Sequence, residues 1–147
     1  MNIKTIRSLA TLGALLLTGA AAFAQQSGTV LVQFQGPGGH SNGNYGRTSA
    51  LHAAGRTVIL LQQAGLPQGS YVVTNVSGGN SVNSIASDGL VELRLSTADP
   101  AASQALVARN DGVAKAGADA ENAFRGVKAG DLTAGAPATI RYSVTQK

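Results

Sequence analysis

Three segments of the chain alternate apolar and polar residues with the two-residue period of a half-buried strand: residues 29–35, 90–95 and 140–144. In the second of them, Val91, Leu93 and Leu95 share one face. A fourth segment, residues 71–76, is rich in the β-branched and aromatic residues that strands favour. The pattern therefore predicts four strands that cover a core with one face and leave the other face open.

Two longer segments carry helical signals. Apolar residues recur at helical spacing over residues 48–63, and a glycine and a proline follow as stop signals. A second helix is predicted over residues 100–125, because an aspartate precedes it as N-cap and a proline stands at its first position. Gly112 and Gly117 lie inside this helix, and each costs about 1 kcal/mol relative to alanine, so we expect a bend or fraying there.

The predicted order of elements is β-α-β-β-α-β. Its well-known packed solution is the ferredoxin-like two-layer sandwich, an α+β fold with a four-stranded antiparallel sheet and both helices on one face. The 147-residue length suits a single domain, which we place at residues 25–147.

The first 24 residues have the character of a secretory signal peptide. Lys4 and Arg7 give a basic start, an apolar stretch covers residues 9–22, and the segment ends in Ala22-Phe23-Ala24. We expect cleavage after this segment, export to the periplasm or the extracellular space, and no membrane attachment afterwards. The remaining chain has nine basic and seven acidic residues without a charge run, so a nucleic-acid partner is not expected.

Candidate catalytic chemistry is sparse. There is no cysteine, and His40 and His52 alone cannot form a catalytic zinc site, which uses three protein ligands. The acidic residues are dispersed, and no G-x-S-x-G motif is present. We therefore expect no metal, no cofactor and no enzymatic activity of the chain by itself. His52 is interpreted as a surface helix residue, whereas His40 stands in a glycine-rich loop, where functional side chains concentrate.

Two segments carry a family resemblance. GPGGHSNGNYG at residues 36–46 and VSGGNSVNSIASDGLVELRLS at residues 76–96 resemble the dimerisation, or lid, domain of the dinuclear-zinc exopeptidases of metallopeptidase family 20. That family includes aminoacylases, carnosinases and succinyl-diaminopimelate desuccinylase. The more specific motifs are Gly39-His40-Ser41 and Gly78-Gly79 with Asn83, and the family usually has proline where Ala86 stands here.

The resemblance implies a ferredoxin-like lid that is inserted into a larger catalytic domain and joins two subunits. It also implies that His40 and Asn83 contact the substrate carbonyl or carboxylate, where an imidazole or amide N–H can stabilise an oxyanion. The zinc-binding half of such an enzyme is missing from this sequence, which has no His-x-Asp and no Glu-Glu pair. The glycines that the resemblance assigns to shaping the loops are Gly38, Gly39, Gly78 and Gly79.

Three functional hypotheses follow. The first is an exported, non-catalytic dimerisation module that forms a homodimer through an unpaired edge strand such as residues 71–76. The second is a module that binds a peptide or N-acyl amino acid carboxylate around His40 and Asn83. The third is a lid subunit that completes a separate zinc hydrolase in trans.

Overall fold

The computed structural model describes residues 26–147, so the predicted signal peptide at residues 1–24 lies outside the described residues. The elements in chain order are β1 (Gln26–Gln35), β2 (Gly39–His40), α1 (Ala50–Gln63), β3 (Tyr71–Ser77), β4 (Ser84–Ile85), β5 (Asp88–Thr97), α2 (Pro100–Arg125), β6 (Leu132–Thr133), β7 (Ala136–Pro137) and β8 (Arg141–Gln146).

The four long strands form one antiparallel sheet in the order β3-β5-β1-β8. β1 pairs with β5 over its whole length and with β8 from Val30 to Gln35. One face of the sheet is covered by the two helices, whereas Gln33, Arg94 and Ser143 are exposed on the other. The predicted α+β, ferredoxin-like sandwich is therefore confirmed.

The core lies between the sheet and the helices. The strands contribute Val30, Val32, Phe34, Val91, Leu93 and Leu95, and the helices contribute mainly alanines with Leu61 and Leu106. These small helix residues let the helix backbones approach the sheet and each other closely. Within residues 26–147, neither helix has the length and apolarity needed to cross a membrane.

Local signals in the sequence determine the helix ends. The Asp99 carboxylate accepts a hydrogen bond of 2.8 Å from Ala102 N–H, and Gly126 ends α2 in the left-handed conformation with φ of 69°. α2 is continuous from Pro100 to Arg125, so the expected fraying at Gly112 and Gly117 is not seen. Gly117 is instead buried against α1, where a side chain would overlap Thr57 Oγ1.

Two short strand pairs were not predicted. β2 pairs with β4, which joins the loop after β1 to the loop after β3. β6 pairs with β7 in the glycine-rich segment between α2 and β8, and Ala134 and Gly135 form its turn with φ of 50° and 80°. Two-residue strands have no periodicity, so the hydrophobic pattern cannot indicate them.

The two ends of the described fold lie side by side. Lys147 N–H donates to Thr29 O at 2.8 Å, and Thr29 N–H donates to Lys147 O at 3.4 Å. The loops that carry His40 and Asn83 are at the opposite end of the sheet, because β1 ends and β5 begins there.

One buried polar side chain in α2 has no hydrogen-bond partner among the described residues. Asn110 is 1% exposed, and both its Oδ1 and its Nδ2 are unpaired. An unpaired buried amide costs about 1 to 3 kcal/mol, and leucine has the same number and branching of side-chain heavy atoms without the polar groups. We therefore expect Asn110→Leu to raise the free energy of unfolding by about 1 kcal/mol. Urea denaturation measures this, and a lower unfolding midpoint for the variant would show that Asn110 stabilises the core.

Candidate functional site

The β2–β4 pair brings the two predicted functional loops together. His40 is opposite Ser84, and Gly39 is opposite Ile85. Just beyond this ladder, Ser41 donates twice to the Asn83 carbonyl oxygen, through its backbone N–H and its hydroxyl, each at 2.9 Å. The backbone of residues 39–41 is therefore fixed against that of residues 83–85.

The side chains of His40 and Asn83 are in contact on the exposed surface of this pair. Asn83 Nδ2 lies 3.4 Å from His40 Nε2. The Asn42 backbone N–H donates to His40 Nδ1 at 3.3 Å, and in the tautomer that accepts this hydrogen bond Nε2 is a donor. Asn83 Oδ1 accepts a hydrogen bond from the Ser81 hydroxyl. Two donor groups, Nε2–H and Nδ2–H, thus lie side by side and are available to an acceptor oxygen.

The glycines of the two loops allow this approach. A Cβ at Gly38, which has φ of 62°, would lie 2.7 Å from Ser87 Cβ and 3.3 Å from Ile85 O. At Gly78 a Cβ would overlap the Asp88 carbonyl oxygen. Gly39 and Gly79 also have positive φ. A larger residue at Gly38 would push the two loops apart, and one at Gly78 would push the end of β3 away from the start of β5.

The loop between β2 and α1 has internal hydrogen bonds. Asn44 Nδ2 donates to His40 O at 2.9 Å, and Arg47 Nη1 donates to Gly38 O at 3.2 Å. At the tips of the two loops, the side chains of Tyr45 and Val82 are almost completely exposed.

No group of three or more histidine, cysteine, aspartate or glutamate side chains in residues 26–147 is arranged to hold a metal ion. His52 lies in the first turn of α1. Its side chain is 57% exposed, and Nδ1 lies 3.7 Å from Glu121 Oε1. His52 is therefore a surface helix histidine at the edge of an ion cluster.

This ion cluster, formed by Glu121, Arg56, Arg125 and His52, was missed by the sequence analysis. The fully buried Glu121 carboxylate accepts hydrogen bonds from Ser49 N–H at 3.1 Å, Arg56 Nε at 3.0 Å and Arg125 Nε at 3.1 Å. Ser49 is the N-cap of α1, so a carboxylate from α2 occupies the positive end of α1. The cluster joins the two helices just behind the His40 loop.

The cluster makes stability depend on pH. Burial raises the pKa of Glu121, but the hydrogen bonds from Ser49, Arg56 and Arg125 lower it more, so its pKa lies below the ordinary value. A carboxyl group with a lowered pKa in the folded state stabilises the fold above its unfolded-state pKa, and this contribution is lost as the pH falls. We expect the unfolding midpoint in urea to decrease from pH 5 to pH 3. The decrease should be smaller in Glu121→Gln, and equal slopes would contradict this assignment.

Solved structures of several hydrolases share this fold. Aminobenzoyl-glutamate utilization protein from Klebsiella pneumoniae has a TM-score of 0.63 and 18% identity over 83% of this chain and 28% of its own. A putative amidohydrolase/peptidase from Burkholderia cenocepacia has a TM-score of 0.61 and 16% identity over 84% and 28%. Aminopeptidase PepT from Bacillus cereus has a TM-score of 0.59 and 13% identity over 84% and 29%. No protein-family profile matches the chain, and no curated protein matches it significantly.

The chain therefore has the fold of one part of these hydrolases and spans less than a third of their length. The predicted resemblance to the dimerisation domain of zinc exopeptidases is confirmed at the level of the fold. At these identities the likeness concerns the fold, and the activities of the hydrolases do not transfer with it.

Proposed function

We propose that this protein is an exported, non-catalytic module that joins two copies of itself through the edge strand β3. The observation that carries the proposal is the composition of this edge. β3 has the sequence YVVTNVS without a charged residue, and both Val72 and Val76 are more than two-fifths exposed. Natural proteins usually protect an edge strand with charges, so an uncharged, apolar edge favours pairing with a second strand.

The opposite edge of the sheet differs. β8 has the sequence RYSVTQ, and Arg141 and Thr145 are exposed there.

β3 also contains a register shift between Val73 and Asn75, with Thr74 as the additional residue. Because such a bulge interrupts a regular ladder, pairing of two copies is expected along one side of the bulge. Two four-stranded sheets joined at β3 would form one eight-stranded sheet about a two-fold axis.

A charge on the exposed face of β3 tests this interface. Val72→Glu places a carboxylate opposite Arg94 within the same chain, so folding should be tolerated. In the dimer, two carboxylates would meet at the seam. We expect the variant to be a folded monomer by light scattering, whereas the control Thr145→Glu on the other edge should remain dimeric. Equal masses for the two variants would contradict a β3 interface.

Export is the second part of the proposal. It is supported by the basic, apolar and small-residue pattern of residues 1–24. Fractionation of expressing cells should find a protein outside the cytoplasm whose first residue is Gln25. A cytoplasmic protein that retains Met1 would overturn this part without affecting the proposed dimer.

The donor pair of His40 and Asn83 favours a second candidate function, binding of a small carboxylate such as an N-acyl amino acid. Two adjacent donors can share one acceptor oxygen, which also suits a lid that completes a separate hydrolase in trans. Titration with N-acetylglycine, followed by NMR, should shift the His40 and Asn83 signals, and Asn83→Ala should abolish the shifts. No shift at millimolar ligand would refute the binding of small carboxylates.

A further inference from the structure

The outer surface of the helices contains two connected depressions, which we call the helix-face groove. One, of about 280 Å³, extends from Ser41 and Ser84 to the start of α1. The other, of about 530 Å³, continues to Ile59 and Phe124. Both are lined by Tyr45, Leu51, His52 and Arg125, so they form a continuous surface.

Three of the side chains that line the groove are apolar and exposed. Tyr45 is 92% exposed, Phe124 is 65% exposed, and Ile59 is 56% exposed. Side chains of this size at the protein surface are typical of interaction sites, particularly when aromatic residues and arginine occur together.

The charge of the groove is positive. Arg56 and Arg125 stack on the Phe124 ring, with guanidinium carbons 4.8 and 4.9 Å from its centre. Both share the single carboxylate of Glu121 below them, which leaves one positive charge in excess. Arg47 lines the same groove, and among the described residues no aspartate or glutamate lines either depression.

We propose that the helix-face groove docks an acidic segment of a partner protein that also carries aliphatic side chains. A carboxylate of the segment pairs with the excess positive charge of Arg56, Arg125 and Arg47, and its aliphatic side chains cover Phe124 and Ile59. The groove does not include His40 or Asn83, so this interaction is separate from the proposed carboxylate site and from the β3 interface.

The geometry of the cations distinguishes a peptide from other anionic partners. The side chains of Arg56 and Arg125 are only 33% and 18% exposed. Guanidinium groups held in place by an aromatic ring and a carboxylate can form directed hydrogen bonds with one carboxylate. Membranes and nucleic acids instead attract many extended basic side chains.

The test uses an acetylated eight-residue peptide that alternates glutamate and leucine, with a glutamine–leucine peptide as control. Addition of the acidic peptide to the purified protein should shift the NMR signals of Tyr45, Ile59 and Phe124. The glutamine peptide should bind at least about tenfold more weakly. Equal binding of both peptides, or no shifts with the acidic peptide at millimolar concentration, would overturn the proposal.

Two variants at one exposed position distinguish the effect of charge on peptide binding from the effect of losing apolar area. Ile59→Glu and Ile59→Lys both remove the isoleucine, but only the glutamate repels an acidic peptide. We expect Ile59→Glu to weaken binding about tenfold more than Ile59→Lys does. Gln33→Glu, on the open face of the sheet, should bind like the parent protein. The NMR signals of the groove should not change with protein concentration when no peptide is present. If they did, a second copy of the chain would occupy the groove, and the proposal would be overturned.

Discussion

Gly117→Ala is expected to destabilise the protein by about 3 kcal/mol, although alanine is the better helix former. A Cβ at Gly117 would overlap Thr57 Oγ1 and lie 3.1 Å from Ala53 O. Thr57 cannot turn away without a loss, since its hydroxyl is buried and donates to Ala53 O at 2.9 Å. The helices must therefore separate, which disturbs the contacts of both with the sheet. Urea or thermal unfolding measures the effect.

Gly112 provides the matched control in the same helix. It is exposed, and a Cβ there would have nothing within 4 Å. Gly112→Ala should raise the free energy of unfolding by about 0.5 to 1 kcal/mol through helix propensity alone. Thr57→Ala should partly rescue Gly117→Ala, because it removes the overlapping hydroxyl. Equal effects of the two glycine substitutions would mean that α1 and α2 do not pack as described.

Glu121→Ala is expected to cost about 3 kcal/mol, the lower end of the range for breaking a buried ion pair. The substitution leaves Arg56, Arg125 and the Ser49 N–H without their shared acceptor. Arg56 is 33% exposed and can turn partly to water, which limits the cost. A loss of this size is a large fraction of the stability of an ordinary domain, so the unfolding midpoint in urea should fall steeply.

Asp119→Ala is the control for this second prediction. Asp119 pairs with Lys115 at 2.6 Å on the exposed side of the same helix. Exposed pairs contribute little, so the unfolding midpoint should barely change. If both substitutions had the same small effect, the ion cluster would not connect the helices energetically.

The sequence was sufficient to predict the fold because its long elements carry strong periodic signals. The strands of the central sheet alternate clearly, and Asp99 and Pro100 mark the start of α2. β5 is longer than the predicted residues 90–95. Its end residues, Asp88 and Thr97, also pair with β1, and the alternation of apolar and polar residues did not indicate this.

The candidate site was predictable only in part. The structure brings His40 and Asn83 into contact, but the β2–β4 ladder that holds them has no local signal in the sequence. Glu121 lies 65 residues from Arg56 and 72 from Ser49 along the chain, so only the fold reveals their cluster. In the sequence, Gly117 and Gly112 look alike, since both are glycines inside a predicted helix. Their expected effects on stability differ only because α2 packs on α1 at Gly117.

The most direct test of the proposed function is the solution mass of the purified protein by light scattering over a wide range of concentrations. A module that pairs through β3 should have twice the mass of one chain, with dissociation only on dilution. A folded protein that keeps the mass of one chain at the highest concentration would contradict the proposed dimerisation.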